Sequence, residues 1–514
     1  MKKQVSLRFA PSPTGPLHIG GVRTALYNHL FAKQTDARLI LRIEDTDRKR
    51  FVPGAEEYII ESLKWLGIEF NEGVSFGGDK GPYRQSDRAK EGIYKKYVDF
   101  LIEKGKAYYA FDTAEELEAM RERLKEEGNP VQQYNHITRG SMKNSLTLPE
   151  SDWKARISSG EPYVVRMDMP ADEEVVFKDI VREEVSFNSN QLDDKVLIKS
   201  DGIPTYHLAN VVDDHLMEIT HVIRGEEWLS STPLHVLLYR AFGWEDTMPQ
   251  FVHLPLLLNP NGKGKLSKRT ADQLGFPVFP QNWTDPSSGN FAQGFKEAGY
   301  EPDALVNYLA LLGWNPGNDE EIMNMDRLVE LFSLDRIGKT GAKFDPEKLK
   351  WFNENYLRAK SSADLLVSVK EEVEKAGIDM PEDNFLLGLI DLMKERVSFA
   401  KEFITSSDFL LSAPTEFDEK TMSKRWKADA VALIGELRED FSQVSDWEAQ
   451  TLHDAFQSFI QRKEVGLGKI MAPFRLALTG VGSGPGIFDI AALLGKAETL
   501  SRLDYALKNL PVNS

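Results

Sequence analysis

Cysteine is absent from all 514 residues. Disulfides and thiolate-ligated metals are therefore excluded, and with them the folds and redox chemistries that need a sulfur pair. No apolar run approaches the roughly 18 residues of a membrane-spanning helix. The start, Met1-Lys2-Lys3-Gln4-Val5-Ser6-Leu7-Arg8, meets an arginine and then prolines too early for a secretory leader. Internal repeats and low-complexity tracts are lacking as well. Positive charge is in deficit, with 63 Lys and Arg against 80 Asp and Glu, a net charge of −17. A uniform surface of that sign repels polyanions, so any polyanion must be held by local basic patches. Lys420, Lys424, Arg425 and Lys427 form one candidate patch. The remaining composition, 41% hydrophobic and 28% charged, is that of a soluble multidomain protein of the cytoplasm.

What is present is informative at two places. Val5 to Ala10 reads as a strand. Pro11-Ser12-Pro13-Thr14-Gly15-Pro16 then forces a turn, because proline fixes φ and glycine tolerates positive φ. A helix follows, with Val22, Leu26, His29 and Leu30 on one face. Gly20 and Gly21 fall at its start, where side-chain-free backbone N–H groups and the helix dipole favour an anion. His18 can donate a hydrogen bond to the same anion. The second place is Lys265-Leu266-Ser267-Lys268-Arg269, preceded by the glycine-rich loop Asn259 to Gly264. Its two lysines suit a triphosphate. A second copy of the basic motif, Met422-Ser423-Lys424-Arg425, lacks such a loop and sits in a charged helical stretch. Gly338-Lys339-Thr340 and Gly480 to Gly486 miss the spacing of phosphate-binding glycine motifs.

These motifs, with Leu41-Arg42-Ile43-Glu44-Asp45-Thr46-Asp47, Gly81-Pro82-Tyr83-Arg84-Gln85-Ser86, Thr205-Tyr206-His207-Leu208-Ala209-Asn210 and Val222-Ile223-Arg224-Gly225-Glu226-Glu227-Trp228, run in the order of a known family. The chain resembles the class I aminoacyl-tRNA synthetases, most closely the bacterial-type glutamyl-tRNA synthetases. Weaker matches at Lys343-Phe344-Asp345 and Phe474 to Gly480 extend the resemblance over the whole length.

The resemblance implies an α/β fold: a Rossmann-like parallel sheet with an α+β insertion, followed by a mainly α-helical C-terminal anticodon-binding region. The implied division is 1–110 and 199–270 for the two catalytic halves, 111–198 for an acceptor-binding insertion, 271–345 for a stem-contact region and 346–514 for the anticodon domain. It implies a glutamate–tRNA ligase working through glutamyl-adenylate. His18, Gly20, Gly21, Lys265, Ser267 and Lys268 would bind ATP, with His18, Lys265 and Lys268 catalytic. Arg8, Ala10, Ser12, Glu44, Tyr206, Asn210 and Arg224 would hold L-glutamate. Mg²⁺ would arrive with ATP. No zinc is expected, since the cysteines that ligate it in some relatives are missing. The partners would be tRNA-Glu, L-glutamate and ATP, on a monomer with no membrane attachment. Arg396 is a candidate anticodon contact.

The residues also carry expectations of their own. Arg38 to Ile43 and Ala107 to Phe111 read as strands of the parallel sheet. Ala55 to Leu66, Arg88 to Lys104, Thr113 to Glu127, Ala363 to Glu374 and Asn384 to Lys401 read as helices. Gly275 to Asn290 reads as an ordered loop. The run Asp213-Asp214-His215, with His207 and His221 nearby, fits no metal-ligand spacing, and structural hydrogen bonding is the better reading. The helix-rich tail argues against two rivals: a truncated paralogue that modifies a tRNA base, and a glutaminyl or archaeal-type glutamyl enzyme with a β-barrel anticodon domain. A nucleotidyltransferase unrelated to tRNA would need neither the tail nor the Tyr206 to Trp228 segment.

Overall fold

The computed structural model describes residues 4–129 and 132–512. Met1 to Lys3, part of the leader argument, lie outside the described residues. The chain forms two compact units, Met1–Leu349 and Lys350–Ser514.

The first unit is organised by two short parallel sheets. In one, Ser6–Phe9, Arg38–Leu41 and Glu72–Gly73 lie side by side. In the other, His221–Gly225, Gln250–Leu254 and Glu174–Asp179 run parallel, with Glu183–Asn188 antiparallel at the edge. The sheets adjoin at one seam. Thr220 donates its N–H to the Ser6 carbonyl (2.9 Å), and Ser6 donates its own to the Thr220 hydroxyl (2.9 Å). Helices Ile19–Thr35 and Ala55–Trp65 provide the crossovers of the first sheet. The Ile19–Thr35 helix is buried nearly all round, from Val22 through Tyr27 to Leu30, rather than along one stripe. Strands covered on both faces read as continuous apolar runs, as Leu39-Ile40-Leu41 does.

Three sequence expectations need correction here. Ala107–Ala110 does not join the parallel sheet. It pairs antiparallel with Val164–Met167, which pairs with Val196–Ile198. Its alternating side chains serve two cores: Ala107 faces the main one, while Tyr108 and Ala110 pack with Met120 and Leu124. An apolar run of four residues signals a strand but not its partner. The expected Arg88 to Lys104 helix is two helices, Gln85–Lys90 and Ile93–Glu103, separated where Gly92 takes φ 74°. The expected loop Gly275 to Asn290 also holds more order than a loop, because Trp283–Thr284 pairs antiparallel with Phe291–Ala292.

The second unit is helical. Ser362–Lys375, Asp383–Met393, Ala428–Ser442, Ala449–Lys463, Leu467–Thr479 and Ile487–Asn509 enclose an apolar core containing Phe403, Trp426, Phe441, Phe456 and Phe474. The expected Asn384 to Lys401 helix stops at Met393 and tightens into one turn, Lys394–Arg396, which carries Arg396. The chain can leave the helix there because Ser398 is satisfied otherwise. Its N–H donates to Glu402 Oε2 and its carbonyl accepts from Asn353, each at 2.6 Å. Met422 to Arg425 lie inside the helix Glu419–Arg425. No described helix is long and apolar enough to cross a membrane.

Candidate functional site

The strands of both sheets end at one cavity of ≈ 660 Å³, lined by Phe9 and Ala10, Glu44, Arg224 and Gly225, and Pro255. A crevice at the carboxyl ends of parallel strands, where two halves of a sheet meet, is where α/β proteins bind ligands. Arg8, Ala10, Ser12, His18, Gly20, Gly21, Glu44, Tyr206, Asn210, Arg224, Lys265 and Ser267 all line it. Lys268 does not. It begins the helix Lys268–Leu274 and lines a neighbouring cavity of ≈ 210 Å³.

His18 caps the helix Ile19–Thr35. Its Nδ1 accepts the Gly20 N–H at 3.1 Å. The ring's proton therefore sits on Nε2, which is buried on the cavity wall without a hydrogen-bond partner. Burial, with Lys265 nearby, lowers the imidazole to about 4, so it is a neutral donor. The backbone N–H groups expected to serve an anion are already engaged. Ile19 donates to the Val278 carbonyl (3.0 Å), Gly20 to His18, and Gly21 and Val22 to the His18 carbonyl (2.8 and 3.1 Å). Gly21 is needed for packing instead, since a Cβ there would meet Leu17 Cδ1 at 2.7 Å. Gly20 lines the cavity, and a Cβ there would lie 3.5 Å from His18 Nδ1.

The amino-acid side of the cavity is a buried ion network. Arg8 Nε donates to Asp214 (3.2 Å), and Arg42 donates to Asp214 (2.7 Å) and to Glu44 (2.9 Å). Asp213 binds Arg88 (2.6 Å), Gln85 and Tyr94. Burial pushes Asp214 up, but Arg8 and Arg42 outweigh it and hold the carboxyl below its usual range. Burial raises Glu44 in spite of Arg42. Asn210 also donates to Glu44 (3.2 Å). Asp213, Asp214 and His215 are thus hydrogen-bonded groups: His215 meets Thr247 (3.0 Å) and stacks on Trp244.

Arg224, expected to offer a free fork to a carboxylate, is extensively held by the protein. Its short bonds go to Tyr206 Oη and Thr232 Oγ1 (2.9 Å each) and to His253 Nε2 (3.1 Å). Longer ones reach the Trp228 carbonyl (3.4 Å) and His235 (3.5 Å), and these are the positions a ligand can take over. Lys265 pairs with Glu227 at 3.1 Å. Ser267 Oγ accepts the Thr270 N–H, capping the following helix.

Several contributors were not singled out from the sequence. Arg42 and Asp214 join the network, and Asp214 drew notice only as a metal candidate. Glu227 and Trp228 line the cavity, with the Trp228 ring over Tyr206 at 4.4 Å. Phe279 comes from the Gly275 to Asn290 segment and sets its ring edge-on to His18 at 6.2 Å.

The family model described as tRNA synthetases class I (E and Q), catalytic domain, matches residues 4–351, and an anticodon binding domain model matches residues 354–507. The chain is similar to the glutamate–tRNA ligase of Phocaeicola vulgatus, 56% identical over 99% of both chains, and to that of Bacteroides fragilis at 55% over the same shares. A crystal structure of a glutamate tRNA ligase from Elizabethkingia meningosepticum, in complex with its amino acid, superposes with TM-score 0.95 at 46% identity. The match covers 99% of this chain and 100% of that one.

Proposed function

The chain belongs to the class I tRNA synthetases of the glutamate and glutamine type, and on that footing we propose that it ligates L-glutamate to tRNA-Glu at the expense of ATP. The glutamate α-carboxylate attacks the α-phosphorus of ATP, forming glutamyl-adenylate and releasing pyrophosphate. The 2′-hydroxyl of the terminal adenosine of tRNA then attacks the glutamyl carbonyl, the bond to the adenylate breaks, and AMP leaves. The first nucleophile is already an anion, so the protein's task is alignment and charge stabilisation rather than base catalysis.

In this reading His18 Nε2–H donates to a phosphate oxygen, Lys265 leaves Glu227 for the triphosphate, and Ser267 and Lys268 complete the pyrophosphate side. Mg²⁺ enters with ATP as part of the substrate, and no protein-bound zinc takes part. Arg8 faces the side-chain carboxylate. Glu44 takes the ammonium, Tyr206 and Asn210 supply polar contacts, and Ala10 and Ser12 form the floor. Residues 111–198 meet the acceptor end, 271–345 the stem and 346–514 the anticodon, with a monomer working in the cytoplasm.

The observation that carries this reading is the cavity's division of labour. A neutral, unpartnered imidazole donor stands on one wall and an arginine–carboxylate network on another. The test is ATP–pyrophosphate exchange and aminoacylation with labelled glutamate and glutamine, with tRNA-Glu, with tRNA-Gln and without RNA. Exchange should be negligible without tRNA and should appear with tRNA-Glu and glutamate. Full exchange in RNA-free protein, or charging of glutamine in preference to glutamate, would overturn the reading.

A further inference from the structure

Two of the arginines that line the cavity, Arg8 and Arg224, differ in what neutralises them. Arg8 touches a carboxylate directly and belongs to a balanced set, in which Arg8, Arg42 and Arg88 face Asp213, Asp214 and Glu44. Arg224 touches only neutral groups: a phenol, a hydroxyl, a carbonyl and two imidazoles. The carboxylate of its network, Asp179, stands one ring away, behind His253.

The proton positions along that line follow from the donors. Arginine has no acceptor, so Arg224 Nε–H donates and His253 Nε2 must accept. The His253 proton then sits on Nδ1 and is given to Asp179 Oδ2 at 2.6 Å. Asp179 is fixed in turn by backbone donors. Its Oδ1 accepts from Val181 (2.9 Å) and Arg182 (2.8 Å), and its Oδ2 accepts from the His253 N–H (3.1 Å). The His253 and Asp179 side chains are both fully buried. Burial also lowers His253, consistent with a neutral ring.

We infer that Asp179 and His253 are positioning residues for glutamate binding: they fix the aim of Arg224 through a neutral imidazole and leave its positive charge for an anionic ligand. A carboxylate in direct contact would hold the guanidinium equally well but would cancel its charge at the cavity. An imidazole holds it without doing so, and the remote carboxylate sets the ring's tautomer. The inference deepens the proposed function and rests on it, since it assigns the unneutralised charge to glutamate rather than to ATP.

Asp179→Asn tests the tautomer with almost no change of shape. The amide oxygen is best placed on the N–H groups of Val181 and Arg182. Its NH₂ then faces His253 Nδ1 and drives the ring proton to Nε2, where it meets the Arg224 Nε–H donor to donor. With tRNA-Glu present, KM for glutamate should rise about tenfold or more. KM for ATP should stay at the parental value, and the preference for glutamate over glutamine, which Arg8 reads, should stay close to the parental one. His253→Gln can still accept from Arg224 and donate to Asp179, so its KM for glutamate should lie well below that of His253→Leu.

A parental glutamate KM in Asp179→Asn overturns the inference, as does an equal rise for glutamate and ATP, or a His253→Gln no better than His253→Leu. If circular dichroism shows Asp179→Asn unfolded, the His253 pair decides alone in the same sense. The outcomes separate the two claims. A parent protein that fails to activate glutamate with tRNA-Glu removes the proposed function. A working parent with an indifferent Asp179→Asn removes only the positioning role.

Discussion

The first unit buries charge and the second buries hydrocarbon. Arg8, Arg42, Glu44, Arg88, Asp213, Asp214 and Arg224 are all nearly inaccessible in the first unit, whereas Arg502 is the one buried charged side chain of the second among the described residues. Desolvating an ion costs several kcal/mol, about as much as a whole domain's margin of stability, so such groups persist only with partners in place. The catalytic unit meets this cost by pairing guanidinium with carboxylate, Arg8 and Arg42 with Asp214 across distant parts of the chain and Arg42 with Glu44 two residues on. The helical unit avoids it, filling its interior with Phe403, Trp426, Phe441, Phe456 and Phe474. Buried charge therefore marks where the molecule has kept polar groups for a ligand, and removing it should damage binding and stability together. In the second unit the two should come apart.

The largest effect should come from the charge nearest the cavity. Glutamate and glutamine are almost equal in size, so shape does not separate them. An arginine that meets an amide in place of a carboxylate is left poorly satisfied, which supports discrimination of about 10⁴ without editing. Arg8→Ala should lower kcat/KM for glutamate by orders of magnitude and bring glutamate and glutamine closer. A parental ratio of the two kcat/KM values would show that Arg8 does not read the side chain.

Next is a matched pair, one substitution in each unit. Arg42→Met leaves Glu44 and Asp214 buried without their shared cation and should destabilise the protein by about 3 to 5 kcal/mol, while also raising KM for glutamate through Glu44. Phe474→Ala opens the aromatic cluster with Phe441 (5.6 Å), Phe456 (5.9 Å) and Phe488 (6.2 Å). It should cost a similar amount, about 3 to 5 kcal/mol, with KM for glutamate unchanged. Urea unfolding followed by circular dichroism gives the stabilities. If both variants shift KM alike, the contrast between the units does not hold.

How much of this the sequence made legible depended on distance along the chain. Local signals carried well. The prolines and glycine after Val5 to Ala10 marked a strand-turn-helix, and Tyr206 and Asn210, four apart, do share the helical face that lines the cavity. Pairing did not carry. Arg42 and Asp214 are 172 residues apart and His253 and Asp179 are 74 apart, and nothing in either local sequence points to the other. Capping was half legible: His18 was visible as a donor, but its hold on the Gly20 N–H depends on a side-chain rotation that spacing does not encode. The Ala107–Ala110 strand shows the same limit at the level of sheets, since its apolar run was readable and its antiparallel partner was not.

The smallest effect is a pH dependence, and it sharpens the contrast because a buried histidine belongs to the first unit only. The nine histidines include one in the second unit, His453, whose side chain is 44% exposed. His18 is lowered by burial from 6.5 to about 4. Between those values the unfolded chain binds a proton that the folded chain refuses. The His18 contribution is therefore complete above pH 6.5, falls as pH drops, and is gone near pH 4. Integrated over the window it amounts to about 3 kcal/mol. Asp194 works against it. Burial raises that carboxyl to about 6, so its folded form gains protons first and stability rises as pH falls from 6 toward 3.8. The raw slope also carries other shifted groups, among them His207, which burial lowers to about 4 as well, and a difference between variants isolates one. His18→Asn removes the titrating ring but keeps an acceptor for the Gly20 N–H, since asparagine is among the best residues at a helix N-cap. Relative to its standing at pH 7, the variant should gain on the parent by about 3 kcal/mol at pH 4, as measured by urea midpoints at both pH values. Parallel curves for the two proteins would mean that His18 is protonated as readily in the fold as in water, and the neutral donor assigned to it would be lost with the prediction.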